Sequence, residues 1–244
     1  MGGGSAEEIT RMINDHYKGI INVADYWQVG DMRTESITAI ASGTTGEAQS
    51  AQSISLVIIG MNRDNLSDGS GKAAITVQTK SQLGSAGYMY SAYTPASSTS
   101  LWSGSPRRTW CNGKFKSALP TWIQDIIKSV TKLTNRHGSG DYTSARGQNS
   151  TSDDVFLLSE FETFGSAPYS GNDYGNVGSD GTQYEYMKTQ SNRSKSGTSS
   201  YWWLRSSCVA GNGASFFISV TSSGSYSDPL IDTINRGIAP AFCL

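Results

Sequence analysis

Two histidines, His16 and His137, are all the imidazole this chain has for proton transfer or metal binding. A hydrolytic triad or a His-based metal site needs an imidazole oriented by a second polar group. His16 falls in a short amphipathic stretch and His137 in the turn Asn135-Arg136-His137-Gly138, so both read as surface residues. Asp64-Asn65-Leu66-Ser67-Asp68-Gly69 resembles a calcium loop, but Leu66 stands where an oxygen ligand is required and Ile75 takes the twelfth position. Gly69-Ser70-Gly71-Lys72-Ala73 lacks the glycine spacing and the following hydroxyl of a phosphate loop and reads as a turn before a strand. The carboxylate pairs Asp153/Asp154 and Glu160/Glu162 have the chemistry of glycoside hydrolysis, yet acids flanking a short apolar strand read as solvated ends. An enzyme is therefore disfavoured, with no catalytic residue and no metal ligand assigned. Cys111, Cys208 and Cys243, an odd number at wide spacing, read as free buried thiols, with one bridged pair left open.

Residues 207–235 carry a different chemistry. Ser, Gly and Asn alternate there with Val209, Phe216, Phe217, Tyr226, Leu230 and Ile231. Aromatic side chains give contact area at low entropic cost, and small polar ones adapt their hydrogen bonds, which is how binding surfaces are composed. The segment reads as a set of ligand-binding loops or as plain surface filler. The bulky stretches Trp202-Trp203-Leu204-Arg205 and Gly237 to Phe242 enclose it.

The elements that position these residues are those of an α+β domain. Ser5-Ala6-Glu7-Glu8 has capping-box spacing, and Ile9, Met12, Ile13 and Tyr17 predict a helix over 6–17. Beta-prone stretches at 33–40, 53–61 and 72–79 predict an antiparallel meander. Apolar spacing from Trp110 to Val130 predicts helices over 107–118 and 121–133, the second opened by Pro120. Residues 135–152 read as polar connection, 155–158 as a short buried strand, 160–164 as one helical turn and 181–190 as a further helix. Trp202 to Leu204 reads as a strand buried on both faces and 215–220 as an alternating strand that turns Phe217 outward. Ser222 to Ser225 reads as a hairpin turn, and 237–244 as a closing strand in which Pro240 suits an edge or a bulge. Arg107, Arg108 and Arg205 lie beside aromatic residues and read as guanidinium groups stacked on indoles.

The totals set further bounds. The chain has 244 residues, a net charge of −1, 36% hydrophobic and 16% charged residues. A compact domain of this size buries roughly 70 to 75% of its unfolded surface without disulfides. Lys and Arg form no basic stripe, so nucleic acid is not an expected partner. The longest apolar run, Ile54 to Met61, is far short of the about 20 residues that span a bilayer. Residues 1–19 read as a linker with the short helix, and 20–244 as the domain.

The blocks "YWWLRSS", the F-x-x-V of Phe217 to Val220 and the closing "GIAPAFCL" resemble the C-terminal signature of a C-type-lectin-like domain found in phage structural proteins and surface proteins of gut bacteria. "ADYWQVGDMRTESI", "RRTWCNGKFKSALP" and "VFLLSEFETFG" resemble upstream blocks of the same family, so the likeness covers residues 20–244. Several members of that group are the variable proteins of diversity-generating retroelements. The resemblance implies a lectin-like scaffold in which Trp202 to Ser206 and Gly237 to Leu244 are framework, with Phe217 framework and Phe216 variable if a bulge lies near 216–218. It further implies a ligand-binding surface on Ser207, Val209, Asn212, Ser215, Phe216, Ser219, Tyr226, Asp228, Leu230, Asp232 and Asn235. The expected partner is a bacterial surface protein or glycan, met from a virion or a cell surface, with avidity from a homo-oligomer and no cofactor. The sugar-binding Glu-Pro-Asn, Gln-Pro-Asp and Trp-Asn-Asp motifs of animal lectins are absent, so calcium-mediated glycan binding is not implied. The metal-using cysteine pair of the related formylglycine-generating enzymes has no counterpart in Cys111, Cys208 and Cys243.

Overall fold

The computed structural model describes residues 3–43, 48–90, 102–135, 148–167, 169–170, 179–209, 215–227, 230–231 and 234–244, the side chains at 208, 209, 215, 216, 230 and 231 excepted. Helix α1 (Ala6–Tyr17) begins where the Ser5 hydroxyl accepts the Glu8 amide at 3.2 Å, and it buries Ile9 and Ile13. Its last residue ties it to the body: the Tyr17 hydroxyl donates to the Leu244 carbonyl at 3.1 Å and accepts the Ala74 amide at 3.0 Å. The stretch read as a linker helix is thus packed on the body that follows it.

The expected meander forms as β1 (Met32–Ile37), β2 (Gln52–Met61) and β3 (Ile75–Thr79), antiparallel throughout. Two later strands, β6 (Val155–Phe156) and β10 (Ala241–Cys243), complete a five-stranded sheet in the order β1-β2-β3-β10-β6. The closing strand is therefore central, not an edge. Pro240 is tolerated because it lies just before β10, where its carbonyl accepts the Thr79 amide and no ladder donor is asked of it.

The helix expected over 107–118 is present as α2 (Pro106–Trp110), a π-turn over Cys111–Phe115 and α3 (Lys116–Ala118). Its partner α4 (Thr121–Ile126) is shorter than the sequence reading. Ile127 turns extended at ψ 134°, and the chain enters β4 (Val130–Asn135), which pairs with β5 (Gln148–Asp153) where connection was expected. Inward residues of β4 alternate as Val130, Lys132 and Thr134, a two-residue period that the four-residue spacing of Ile123, Ile126, Ile127 and Val130 obscures.

Helix α5 (Glu160–Phe164) carries a complete capping box between Ser159 and Glu162 and ends at Gly165 in the left-handed region (φ 76°). Of the helix expected over 181–190 only a 3-10 turn (Glu185–Lys188) forms, and α6 (Gln190–Arg193) follows it. The third sheet is β7 (Tyr201–Val209), β8 (Ser215–Thr221) and β9 (Leu230–Ile231). Among the described residues the architecture is mixed α+β, with three antiparallel sheets and short helices.

Several side chains stand elsewhere than their types suggested. Asp153, Glu160 and Glu162 are buried, not solvated ends. Asp153 accepts the Trp102 indole N–H at 2.9 Å, the Arg108 Nε at 2.5 Å and the Thr151 hydroxyl at 2.7 Å. Arg107 does lie over Trp110, at 4.9 Å, whereas Arg205 pairs with a carboxylate instead of an indole. His16 is half-buried, its Nδ1 accepting the Val23 amide at 3.4 Å. Cys111 and Cys243 are free and buried, and His137 lies outside the described residues. No described helix is long and apolar enough to cross a membrane.

Candidate functional site

The segment 207–235 leaves and re-enters the body through a narrow neck. Trp203 donates its amide to the Gly237 carbonyl at 3.0 Å, and Gly237 donates back to Tyr201 at 2.8 Å. Gly87 and Arg236 exchange backbone bonds of 2.8 and 3.1 Å beside it. Below, Trp202 and Trp203 are fully buried, their indole N–H groups donating to Arg193 O at 3.0 Å and Gly87 O at 2.9 Å. A Cβ on Gly237 would fall inside the Gln82 amide, which donates to Ser199 O and Lys195 O and accepts the Ser199 amide. Gly237→Ala is expected to cost about 2 kcal/mol as an overpacking change that displaces Gln82, read as a lower urea midpoint at unchanged m-value.

Within the segment, β7 and β8 pair from Tyr201↔Thr221 to Val209↔Ser215, with a register shift between Trp203 and Ser207. The irregularity lies on β7, opposite Ile218, and not on β8 at 216–218. Phe217 is accordingly buried and not outward, its ring edge-on to Trp203 with centroids 6.5 Å apart. Ile218 and Val220 are buried too, so this sheet is covered on both faces. The Thr221–Ser225 turn is clamped by Gln190 and Arg193, whose side chains donate to Ser223 O and Gly224 O at 3.2 and 2.9 Å.

Of the expected contact residues, Ser207 and Ser219 are buried with hydroxyls that meet no hydrogen-bond partner among the described residues. That burial removes them from any contact surface. Both belong to cross-strand pairs with core aromatics, Ser207↔Phe217 and Trp203↔Ser219. Val209, Ser215, Phe216 and Leu230 lie on β7, β8 and β9, with their side chains outside the description. Asn212, Asp228 and Asp232 lie outside the described residues. Asn235 is exposed and donates to the Tyr88 hydroxyl at 3.1 Å.

Tyr226 is half-buried in an aromatic cluster that sequence spacing did not reveal. Its ring stacks on Phe164 at 3.7 Å, meets Tyr169 edge-on at 6.2 Å, and its hydroxyl is 2.5 Å from that of Ser166. The Arg193 guanidinium covers Phe164 at 5.2 Å. Burial pushes the Tyr226 phenol above its ordinary range, so it stays a neutral donor near pH 7.

A buried ion cluster also went unseen in the sequence. All five Arg205 N–H groups are used: on Glu162, Leu157 O, Leu133 O, Asp180 O and the Thr134 hydroxyl. Lys132, also buried, donates to Asp64, to Glu162 at 3.0 Å and to the Tyr184 hydroxyl at 2.8 Å. Burial alone would raise the Asp64 and Glu162 carboxyls, but Lys132 and Arg205 hold them below their ordinary values. The same partners outweigh burial at Lys132 and hold its ammonium above its ordinary value. Fully engaged carboxylates of this kind are structural ties.

No curated protein and no solved structure matches the chain. The model of one family does, over residues 72–244, a span that takes in β3, the neck, the whole 207–235 segment and the ion cluster apart from Asp64. By that match the chain belongs to the family described as a domain of unknown function, DUF6273.

Proposed function

We propose that this chain is a receptor-binding domain with a C-type-lectin-like scaffold, of the kind carried by phage or by bacterial cell surfaces, and that it recognises a bacterial surface protein or glycan through residues 207–235. The observation that carries the reading is the neck. Backbone bonds between Tyr201, Trp203 and Gly237 close a long polar excursion at its base, over indoles that are fully buried. Anchored in this way, the parts of the segment outside the buried residues of β8 can vary their side chains without disturbing the core. The contact set proposed is the one read from the sequence without Ser207 and Ser219, joined at Tyr226 by Phe164 and Tyr169 and at Asn235 by Tyr88. The tying-up of Asp153 and Glu162 in ion pairs favours binding over sugar cleavage.

Fluorescently labelled protein applied to a panel of intact bacterial cells tests this. Binding is expected on a subset of strains. Tyr226→Ser combined with Asn235→Ala is expected to weaken it at least about tenfold, or 1.4 kcal/mol. Tyr226→Phe, which keeps the stack on Phe164, controls for folding. Binding to no strain, or binding unchanged in the double variant, would leave a structural domain whose loops only decorate it.

A further inference from the structure

The five-stranded sheet ends on β6 at one side and on β1 at the other. Val155 and Phe156 of β6 are buried, whereas Met32, Thr34 and Ser36 of β1 are exposed, Met32 at 50%. The backbone bonds around β1 fix which groups face outward. Ile58 donates its amide to the Asp31 carbonyl at 2.9 Å, and the register from Met32↔Val57 to Ile37↔Gln52 carries that bonding on to Arg33, Glu35 and Ile37. Met32, Thr34 and Ser36 therefore turn their N–H and C=O groups away from β2. Thr38, next in the same row, sends its amide to the Ala118 carbonyl at 3.0 Å. Among the described residues no strand pairs with the rest of that row.

Such an edge is a template for another strand, and charges of one sign would blunt it. On β1 the charges have opposite signs. Arg33 and Glu35 share one face and form an ion pair, and the guanidinium is held there by the Gly4 carbonyl at 2.6 Å and the Trp122 ring at 5.2 Å. A second copy of β1, laid antiparallel, can match outward groups to outward groups with Thr34 opposite Thr34. Arg33 then faces Glu35 of the second copy, and Glu35 faces its Arg33. Sliding the copy to the next matching register in either direction sets Arg33 against Arg33 or Glu35 against Glu35, and like charges directly opposite are destabilising. In the favoured register the charged residues occupy the non-hydrogen-bonded pairs, whose Cα atoms come closest, at about 4.5 Å. Thr34 exchanges backbone bonds with Thr34, and Met32 with Ser36. The strand is thus complementary to itself in one register. We propose that β1 is the interface of a symmetric homodimer, in which two copies of the sheet join edge to edge through residues 32–36 about a twofold axis at Thr34.

The interface uses none of residues 207–235, so it and the receptor-binding reading can fail separately. Sedimentation velocity of the full chain from about 5 to about 500 μM tests it, a range suited to the weak association of a short edge. The mass is expected to rise from 26.1 kDa toward twice that. Arg33→Glu and Glu35→Arg each give the strand a single sign, and each alone should weaken self-association at least about tenfold. Mixed in equal amounts, the two variants should recover most of the wild-type affinity, because every charge then meets its opposite. Thr34→Pro removes a donor that faces away from β2, so it should abolish the dimer and leave the fold intact by circular dichroism. A chain that stays monomeric across the range, a dimer that survives Thr34→Pro, or a mixture no tighter than its separate components would overturn the proposal.

Discussion

Lys132→Met lowers the free energy of unfolding by roughly 3–5 kcal/mol, the cost of removing one partner from a buried ion pair. The side chain volume is nearly kept, but the ammonium that sits 3.8 Å over the Phe156 ring and 5.4 Å from the centre of the Tyr184 ring is lost. What changes is charge: Asp64 and Glu162 lose the ammonium that holds both carboxyls down against burial. A domain with a total stability of about 5–15 kcal/mol feels a loss of that size as a large fall in urea midpoint. Asp64→Asn on the Lys132→Met background should return part of it, because one of the two stranded charges is then gone. A loss below about 1 kcal/mol, with no recovery in the double variant, would mean that water reaches the cluster and screens it.

Lys132 also shows why this region was hidden in the sequence. Its neighbours Val130 and Thr134 share its face of β4, so the inward row is apolar, basic and hydroxylic. Hydrophobic period alone finds a strand only where the buried face is apolar. The facing strand β5 has the same difficulty: Gln-Asn-Ser-Thr-Ser-Asp contains no apolar residue, and its inward members, Thr151 and Asp153, are satisfied by Trp102, Arg108 and Lys132 O. By contrast, β2, β3, α1 and the Trp202-Trp203 strand bury aliphatic or aromatic side chains, and they lie within a few residues of where their apolar spacing put them. At Phe217 the local alternation was sound, and the irregularity was in the partner strand, information that no single strand carries. The loop surface was legible as a composition but not as a face. Tyr226 meets Phe164 and Tyr169 from more than fifty residues upstream, contacts that follow only from the fold.

Stability should fall as pH rises from about 4.5 to 7, and Glu160 is the cause. Burial pushes its carboxyl up to about 7, against hydrogen bonds from the Ser170 hydroxyl at 2.6 Å, the Ser170 amide at 2.8 Å and the Tyr169 amide at 3.2 Å. The folded chain therefore keeps this proton to a higher pH than the unfolded chain does. Between the two values folding takes up a proton, and each pH unit gained costs about 1.4 kcal/mol, about 3 kcal/mol across the window. The raised Asp180 carboxyl works in the same direction. Asp64 and Glu162 work in the opposite one: their lowered carboxyls contribute stability above their ordinary range, and it is lost as pH falls through the lowered values. Maximal stability then sits on the acid side of neutrality. Glu160→Gln should flatten the fall between pH 5 and 7 and leave the acid limb unchanged, in urea titrations run at each pH. The same carboxylate holds the backbone of Tyr169, whose ring meets Tyr226. Cell binding through Tyr226 should consequently change over the same window, and in Glu160→Gln it should not; a binding curve that ignores both pH and the substitution would uncouple the loop surface from α5.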